Sequence, residues 1–240
     1  MNTPLFPGST AVSNLQVYEW EAGDGLHGGT PHVHTVSSEA YVVIGGTGEA
    51  HTLSAGGASA DPLAAGTILW FSPGTIHRLV NTGGLEILTV MGNSGLPEAG
   101  DAVMTFPAEI LQDAEAYRAA ATLPTDGSLE ECERAALTRR DLALRGYHEL
   151  HAAVLRDGPE ALGEFHRLAT NLVRPKAGHW HQLWSSTVEA ETERTRQHIE
   201  AIIDGDGSHL SNATVVRPTP KPHPRLFGMC GRLQTWQAPA

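Results

Sequence analysis

The 240-residue sequence predicts a mainly β chain with α structure added. An N-terminal antiparallel β region of sandwich or barrel type, residues 1–106, precedes a helical region with an extended tail, residues 107–240. Three observations predict this division. The first part holds 17 of the 26 glycines. Runs rich in β-branched and aromatic residues recur there about every ten residues between glycine turns, the spacing of an all-β sandwich or barrel. Charge divides at the same place: residues 1–106 carry one cation, Arg78, against nine carboxylates, and the other 15 cations follow Phe106.

The β runs are Leu15–Trp20, Tyr41–Ile44, Thr67–Phe71 and Leu85–Met91, and the turn signals between them are GDG at 23–25, GGTG at 45–48, AGGA at 55–58 and TGG at 82–84. Within 13–20, Leu15 and Val17 alternate with Gln16 and Tyr18, as in a half-buried strand. Pro107 suits a helix start, and Ile110, Leu111 and Ala114 follow at helical offsets. Ser128 with Glu131 has the capping-box pattern and opens a long helix that ends at Asp157-Gly158. Pro159 restarts a helix through Leu172, which Pro175 should close. A last helix is expected from near His181 to Ile203, stopped by Asp204-Gly205. The tail 206–226, with prolines at 218, 220, 222 and 224, reads as extended chain. There is no internal repeat.

Composition excludes several function classes. A net charge of −11 disfavours nucleic acid and anionic membranes, which require a basic footprint. No run approaches the roughly 20 apolar residues of a membrane span. The start, MNTPLFPGST, lacks the basic and apolar regions of a signal peptide. Cys132 and Cys230 stand in neither disulfide nor thiolate-metal spacing. A soluble cytoplasmic protein without nucleic-acid or membrane partners is expected.

The chemistry concentrates in two stretches. In the first, His32 and His34 are separated by one residue, so on a strand both side chains point to one face. Glu39 follows five positions later and rejoins that face only if Thr35–Ser38 turns or bulges. In the second, Gly66–Phe71 runs into Ser72-Pro73-Gly74, and His77 begins the outgoing strand. Three imidazoles and one carboxylate suit a divalent transition metal (Fe, Mn, Ni, Co or Zn) and leave positions for water or substrate.

These stretches resemble the two motifs of the cupin superfamily. The first, G-x5-H-x-H-x(3,4)-E-x6-G, is matched by His32, His34, Glu39 and Gly46; its leading glycine is off register, with Gly25 and Gly28 on either side of Leu26. The second, G-x5-P-x-G-x2-H-x3-N, is matched by Gly66, Gly74, His77 and Asn81, with Ser72 where the family has proline and Pro73 one place later. The resemblance covers roughly residues 10–95. It implies a small antiparallel jelly-roll barrel holding one metal on His32, His34, Glu39 and His77, to which this chain adds a C-terminal helical extension. It also implies a homodimer, because barrels of this family commonly pair.

Alternation places Tyr41 and Val43 inward after Glu39, and Leu79 and Asn81 inward after His77. Tyr41 is the candidate catalytic residue, since a phenol beside a metal can donate a hydrogen bond or a proton. Asn81 is assigned to the turn, and Trp20 and Trp70 to packing or the cavity wall. Arg78 follows an inward ligand and should point outward, which leaves the barrel interior without a cation. The expected substrate is therefore a small neutral or weakly acidic compound that chelates the metal through vicinal oxygens, as a diketone, enol or catechol does. Dioxygenation is the leading expectation. The alternatives are Lewis-acid isomerisation, elimination or hydrolysis, and a non-catalytic small-molecule sensor. His148 and His151 share a helix face, whereas His179 and His181 share a metal only if their segment is extended. The run EAETERTRQHIE reads as a solvated helix face.

Overall fold

The computed structural model describes residues 5–221 and 224–237. Residues 1–4, part of the stretch read for a leader, and Pro222 of the proline run lie outside the described residues. The first strands are β1 (Ala11–Val17), β2 (His32–His34), β3 (Glu39–Ser54), β4 (Gly57–Ala64), β5 (Ile68–Phe71), β6 (Ile76–Met91) and β7 (Ala102–Met104). β3 and β6 are sixteen residues each and pair antiparallel from end to end. The expected turns at 45–48 and 82–84 are therefore corrected to bends, where the ladder shifts register without either strand ending. The cause is backbone proximity. Gly46 has φ +71°, and a Cβ on it would lie 2.1 Å from the Gly84 carbonyl oxygen, so only glycine fits. Asn81 braces this corner: its amide donates to the Val17 carbonyl, and its Oδ1 accepts from the backbone N–H of Gly83 and Leu85.

The shared bend divides one ladder between two sheets. The first half of β3 and the second half of β6 lie between β5 and β1. Their other halves lie between β4 on one side and β2 and β7 on the other. Leu15, Val17, Tyr41, Val43, Leu63, Leu79 and Ile87 fill the space between the sheets. This is the antiparallel barrel with C-terminal helices that the sequence predicts. The chain end, however, does not remain apart as an extended tail. After β8 (Thr219–Pro220) and β9 (Leu226–Phe227), β10 (Gly231–Gln234) pairs with β1, and β11 (Trp236–Gln237) pairs with β8. β10 satisfies backbone groups that β1 would otherwise leave at an open edge.

The helices are α1 (Ala108–Leu111), α2 (Ala114–Ala121), α3 (Leu129–Asp157), α4 (Gly163–Val173), α5 (Ala177–Trp184) and α6 (Ala190–Ile203). The single helix expected after Pro107 is broken, because the Asp113 side chain caps the backbone N–H groups of Glu115 and Ala116. The Ser128–Glu131 capping box is present, and α3 stops at Gly158 with φ +85°. Pro175 does not close a helix. It sits in the first turn of a 3-10 segment, Arg174–Lys176, where its missing N–H costs nothing, and the chain continues into α5. The last helix accordingly starts at Ala177, not near His181, and passes through a π turn at Ser185–Glu189.

These helices pack on the outer face of the second sheet. Val33, Leu53, Ile76 and Val103 meet Ala143, Tyr147, Phe165 and Leu168 there, so the strand segment 76–81 is buried on both faces. Gly146 allows α3 to come close: a Cβ would lie 2.1 Å from the Thr105 carbonyl oxygen. Arg140, 1% exposed, donates to the Trp20 and Glu21 carbonyls at 2.7 and 2.8 Å, and Arg139 donates to the Gly228 carbonyl at 2.8 Å. Arg78 points away from the barrel interior, as alternation requires, but it does not reach solvent. It is 1% exposed and ion-paired to Asp24, with His148 Nε2 3.5 Å from the same carboxylate.

Among the described residues no helix covers the outer face of the first sheet. Trp70, Ala40, Val90 and Val12 form one cross-strand row, and Ile68, Val42 and Leu88 form the next. Trp70 is 73% exposed, so it walls no cavity, whereas Trp20 stacks on Tyr18 with ring centroids 3.9 Å apart. No helix among the described residues is long and apolar enough to cross a membrane. Gly46→Ala is expected to destabilise the fold by about 3 kcal/mol in urea denaturation, against about 0.5 kcal/mol or less for Gly23→Ala, which meets no neighbour.

Candidate metal centre

β2 places His32 and His34 on the barrel side, and antiparallel pairing sets His32 directly opposite His77 of β6. β3 brings in Glu39 from the far side. One ligand atom from each of these four residues lies within 4.8 Å of the other three, and all four residues are buried. The Nδ1–H groups of His32 and His77 donate to the carbonyls of Thr30 and Thr75 at 2.9 and 3.1 Å, which leaves each Nε2 with a lone pair. Those two Nε2 atoms face each other at 3.1 Å. Glu39 Oε2 lies 3.0 Å from His77 Nε2 and 3.3 Å from His34 Nε2, yet it has no properly directed hydrogen bond. The two opposed imidazole lone pairs repel unless a cation lies between them, and the Glu39 oxygen converges on the same place. The donor set therefore fits a divalent transition metal.

Asp101 supplies the part that motif spacing does not show. Its carboxylate lies at zero exposure, with Oδ1 2.6 Å from His34 Nδ1 and Oδ2 accepting from the Ser37 N–H at 2.9 Å. Its carbonyl accepts from the N–H and hydroxyl of Thr35. One residue thus orients the His34 ring and also shapes the Thr35–Ser38 bulge that returns Glu39 to the site. The helices hold the loops behind these ligands. Lys176 and Trp180 donate to the carbonyls of Gly100 and Ala99, and His166 Nε2 donates to the Gly74 carbonyl in the turn before His77.

Burial dominates the electrostatics of His32, His34 and Glu39, and their neighbours then separate them. Burial opposes a charge on His34, but the hydrogen bond to Asp101 and the adjacent Glu39 carboxylate outweigh it, and its pKa is pushed up to about 10. Burial, reinforced by His77 and His34, holds His32 neutral, well below its ordinary value. Glu39 is driven up by burial and down by His77 and His34; the imidazoles win, and it stays ionised.

Tyr41 lies where alternation places it, 1% exposed, with its ring 5.4 Å from Phe71 and 6.4 Å from His77. Its hydroxyl has no hydrogen-bond partner. Burial and the Glu39 charge raise its pKa far above the ordinary phenol value. Val43 and Leu79 join the inner core as expected. Two neighbours escaped the sequence reading: Phe71, 4.3 Å from the His77 ring, and Cys230, whose Sγ lies 3.9 Å from His32 Nδ1. Phe71 was legible as an inward strand residue. Cys230 was not, because it arrives from the chain end. Of the other histidines, His151 stacks on Tyr147, and His179 and His181 lie exposed on α5. Among the described residues only the four barrel ligands form a group able to hold a metal.

No family model and no curated protein matches the chain. Several solved structures overlap it in part. A Klebsiella pneumoniae protein with a double-stranded β-helix domain is 22% identical over 38% of this chain and 73% of its own, with a TM-score of 0.31. A Streptomyces protein described as a nucleoside dehydratase, solved with uridine, is 20% identical over 41% and 69%, also at 0.31. A Bacteroides fragilis cupin is 19% identical over 36% and 65%, at 0.26. At these overlaps nothing about their substrates transfers.

Metal loading must displace the proton that Asp101 and Glu39 hold on His34. Between pH 7 and 9, below the His34 pKa of about 10, uptake of Zn²⁺ is expected to release about one proton, and apparent affinity should rise about tenfold per pH unit. Calorimetry in buffers of different ionisation enthalpy measures both. Affinity independent of pH over that range would contradict the assignment.

Proposed function

We infer that this chain is a metal-dependent oxygenase of cupin type, acting on a small neutral or weakly acidic substrate that chelates the metal. The observation that carries this reading is the charge of the barrel interior. Three imidazoles and Glu39 meet there, and no Lys or Arg among the described residues joins the inner core. Arg78 is committed to Asp24 on the opposite face, and Arg139 and Arg140 to backbone carbonyls. A substrate carboxylate or phosphate would have no side-chain cation to pair with, and burying such a charge unpaired is costly.

His32, His34, Glu39 and His77 would hold the metal, which when bound supplies a Lewis-acidic centre able to bring a chelating substrate and O₂ together. Asp101 fixes the His34 ring. Phe71 and the surrounding aliphatic residues keep bulk water from the reacting face. Tyr41 holds its proton at the hydroxyl oxygen throughout the physiological range, so it serves as a hydrogen-bond donor to a substrate oxygen and not as a base.

The test is O₂ uptake by iron-loaded protein against a panel of enols, diketones and catechols, with metal content measured in parallel. Wild-type protein should consume O₂ with at least one of them. His77→Ala should lose metal and activity together, while Tyr41→Phe should keep its metal and lose about 100-fold in kcat. Full metal occupancy without O₂ uptake would overturn the oxygenase reading in favour of Lewis-acid chemistry or a sensor.

Self-association belongs to the same proposal. The apolar face around Trp70 and Ile68 spans four strands in the Trp70 row and three in the Ile68 row, where Asn14 of β1 ends it, roughly 300 Å² in plan. That is the size of the largest patches on soluble monomers and of the dry centre within an interface of about 800 Å² per partner. A second copy seated on this face would cover it. Sedimentation is expected to give a dimer for wild type and a monomer for Trp70→Lys; a monomeric wild type would refute the pairing.

A further inference from the structure

The register of β3, β6 and β1 sorts the inner wall of the first sheet into rows. Glu39, Met91 and Ala11 form the row at the metal ligands; Tyr41, Thr89 and Ser13 form the next; Val43, Ile87 and Leu15 form the third. Cross-strand partners share a face, so each row is a line of neighbours inside the barrel. The third row is wholly apolar and belongs to the core. The middle row is three hydroxyls.

A strand packed against an aliphatic core has no local use for that row. Tyr41 and Thr89 are 1% and 6% exposed, and neither Tyr41 Oη nor Thr89 Oγ1 has a hydrogen-bond partner. Buried hydroxyls in folded proteins are nearly always paired. Thr30, Ser37 and Thr235 also carry unpaired ones, but Tyr41 and Thr89 are cross-strand partners on the inner wall, so together they present two unused hydroxyls at one place. Valine would fill the place of Thr89 without leaving a polar atom unsatisfied. The row lies one pleat from Glu39, about 7 Å along the strand, and neighbouring strands are about 4.8 Å apart.

We propose that the Tyr41–Thr89–Ser13 row is a substrate subsite that binds a distal oxygen of the ligand. The substrate class is then a neutral ring or short chain with a chelating pair of oxygens at one end and a hydroxyl or carbonyl at the other. Tyr41 donates to that distal oxygen, Thr89 donates or accepts, and Ser13 extends the row toward β1. Phe71 packs against the rings of both Tyr41 and His77 and so links the two ends. This inference rests on the metal reading above and adds to it the second point at which the substrate is held.

Two neutral chelators with the same hydroxy-ketone differ at the required position: kojic acid carries a hydroxymethyl group across the ring where maltol has hydrogen, and the methyl group of maltol sits beside the chelating hydroxyl, a difference that the comparison of each variant with wild type cancels. Cobalt-loaded protein would be titrated with each and followed by the visible cobalt bands. Wild type should bind kojic acid about tenfold more tightly than maltol. Thr89→Val should remove that preference by weakening kojic acid alone, with cobalt affinity and maltol affinity unchanged, and Thr89→Ser should retain it. Tyr41→Phe should reduce the preference in the same way and serves if Thr89→Val does not fold. Equal affinities for the two chelators in cobalt-loaded wild type, or a preference that survives both Thr89→Val and Tyr41→Phe, overturns the subsite and leaves the metal reading intact. Failure to bind cobalt at all overturns the metal reading and the subsite with it.

Discussion

The pairing of β3 with β6 along sixteen residues, bent at one shared glycine corner, is the constraint on which the rest of the structure depends. Two straight strands of this length would make a flat ribbon with its ends far apart. Because both backbones bend where Gly46 nearly touches Gly84, the two halves of one ladder face each other across the barrel. Glu39 at the start of β3 and His77 at the start of β6 then belong to opposite sheets, yet their side chains meet 3.0 Å apart. His32 follows from pairing with His77, and His34 from the period of the strand.

The site is held from behind more heavily than the four ligands suggest. Asp101 grips the ring of His34 and the loop leading to Glu39, and Gly100, next to it, is tied to Lys176. The turn before His77 is tied to His166. The helical region therefore does more than enlarge the core: it fixes two of the loops that position ligands. Such support suits a centre whose donors repel one another when no cation is present, since loose ligands would swing apart and hydrate.

Charge is partitioned as strictly as hydrophobicity. Cations near the barrel are spent on structural contacts, Arg78 on Asp24 and the α3 arginines on carbonyls around Trp20 and Gly228. The interior keeps imidazoles, one carboxylate and hydroxyls. In the metal-free protein the raised His34 contributes stability that is complete below its unfolded pKa near 6.5 and is lost as pH rises through about 10. The depressed Glu39 and Asp101 contribute stability present above their ordinary range near 4 and lost as pH falls. The metal-free network is thus firmest between about pH 4 and 6.5 and weakens as pH rises from there toward 10.

By itself the sequence determined the candidate ligand cluster, the β-then-helix order, the inward places of Tyr41, Val43 and Leu79, and the caps of α3. Each follows from spacing of a few residues, where the strand period of two, the helix period and local capping leave little freedom. Only the tertiary structure decided what depends on contacts between distant segments. Asp101 reaches His34 across 67 positions and Cys230 reaches His32 across 198, and neither has a local signal. The glycine clusters were legible as breaks in side-chain packing but not as bends within continuous strands, because turn and bulge use the same residue for the same freedom of φ. Arg78 was legible as outward. Whether outward meant water or a buried carboxylate was settled by where α3 and the Asp24 loop came to rest, which no pattern within β6 encodes.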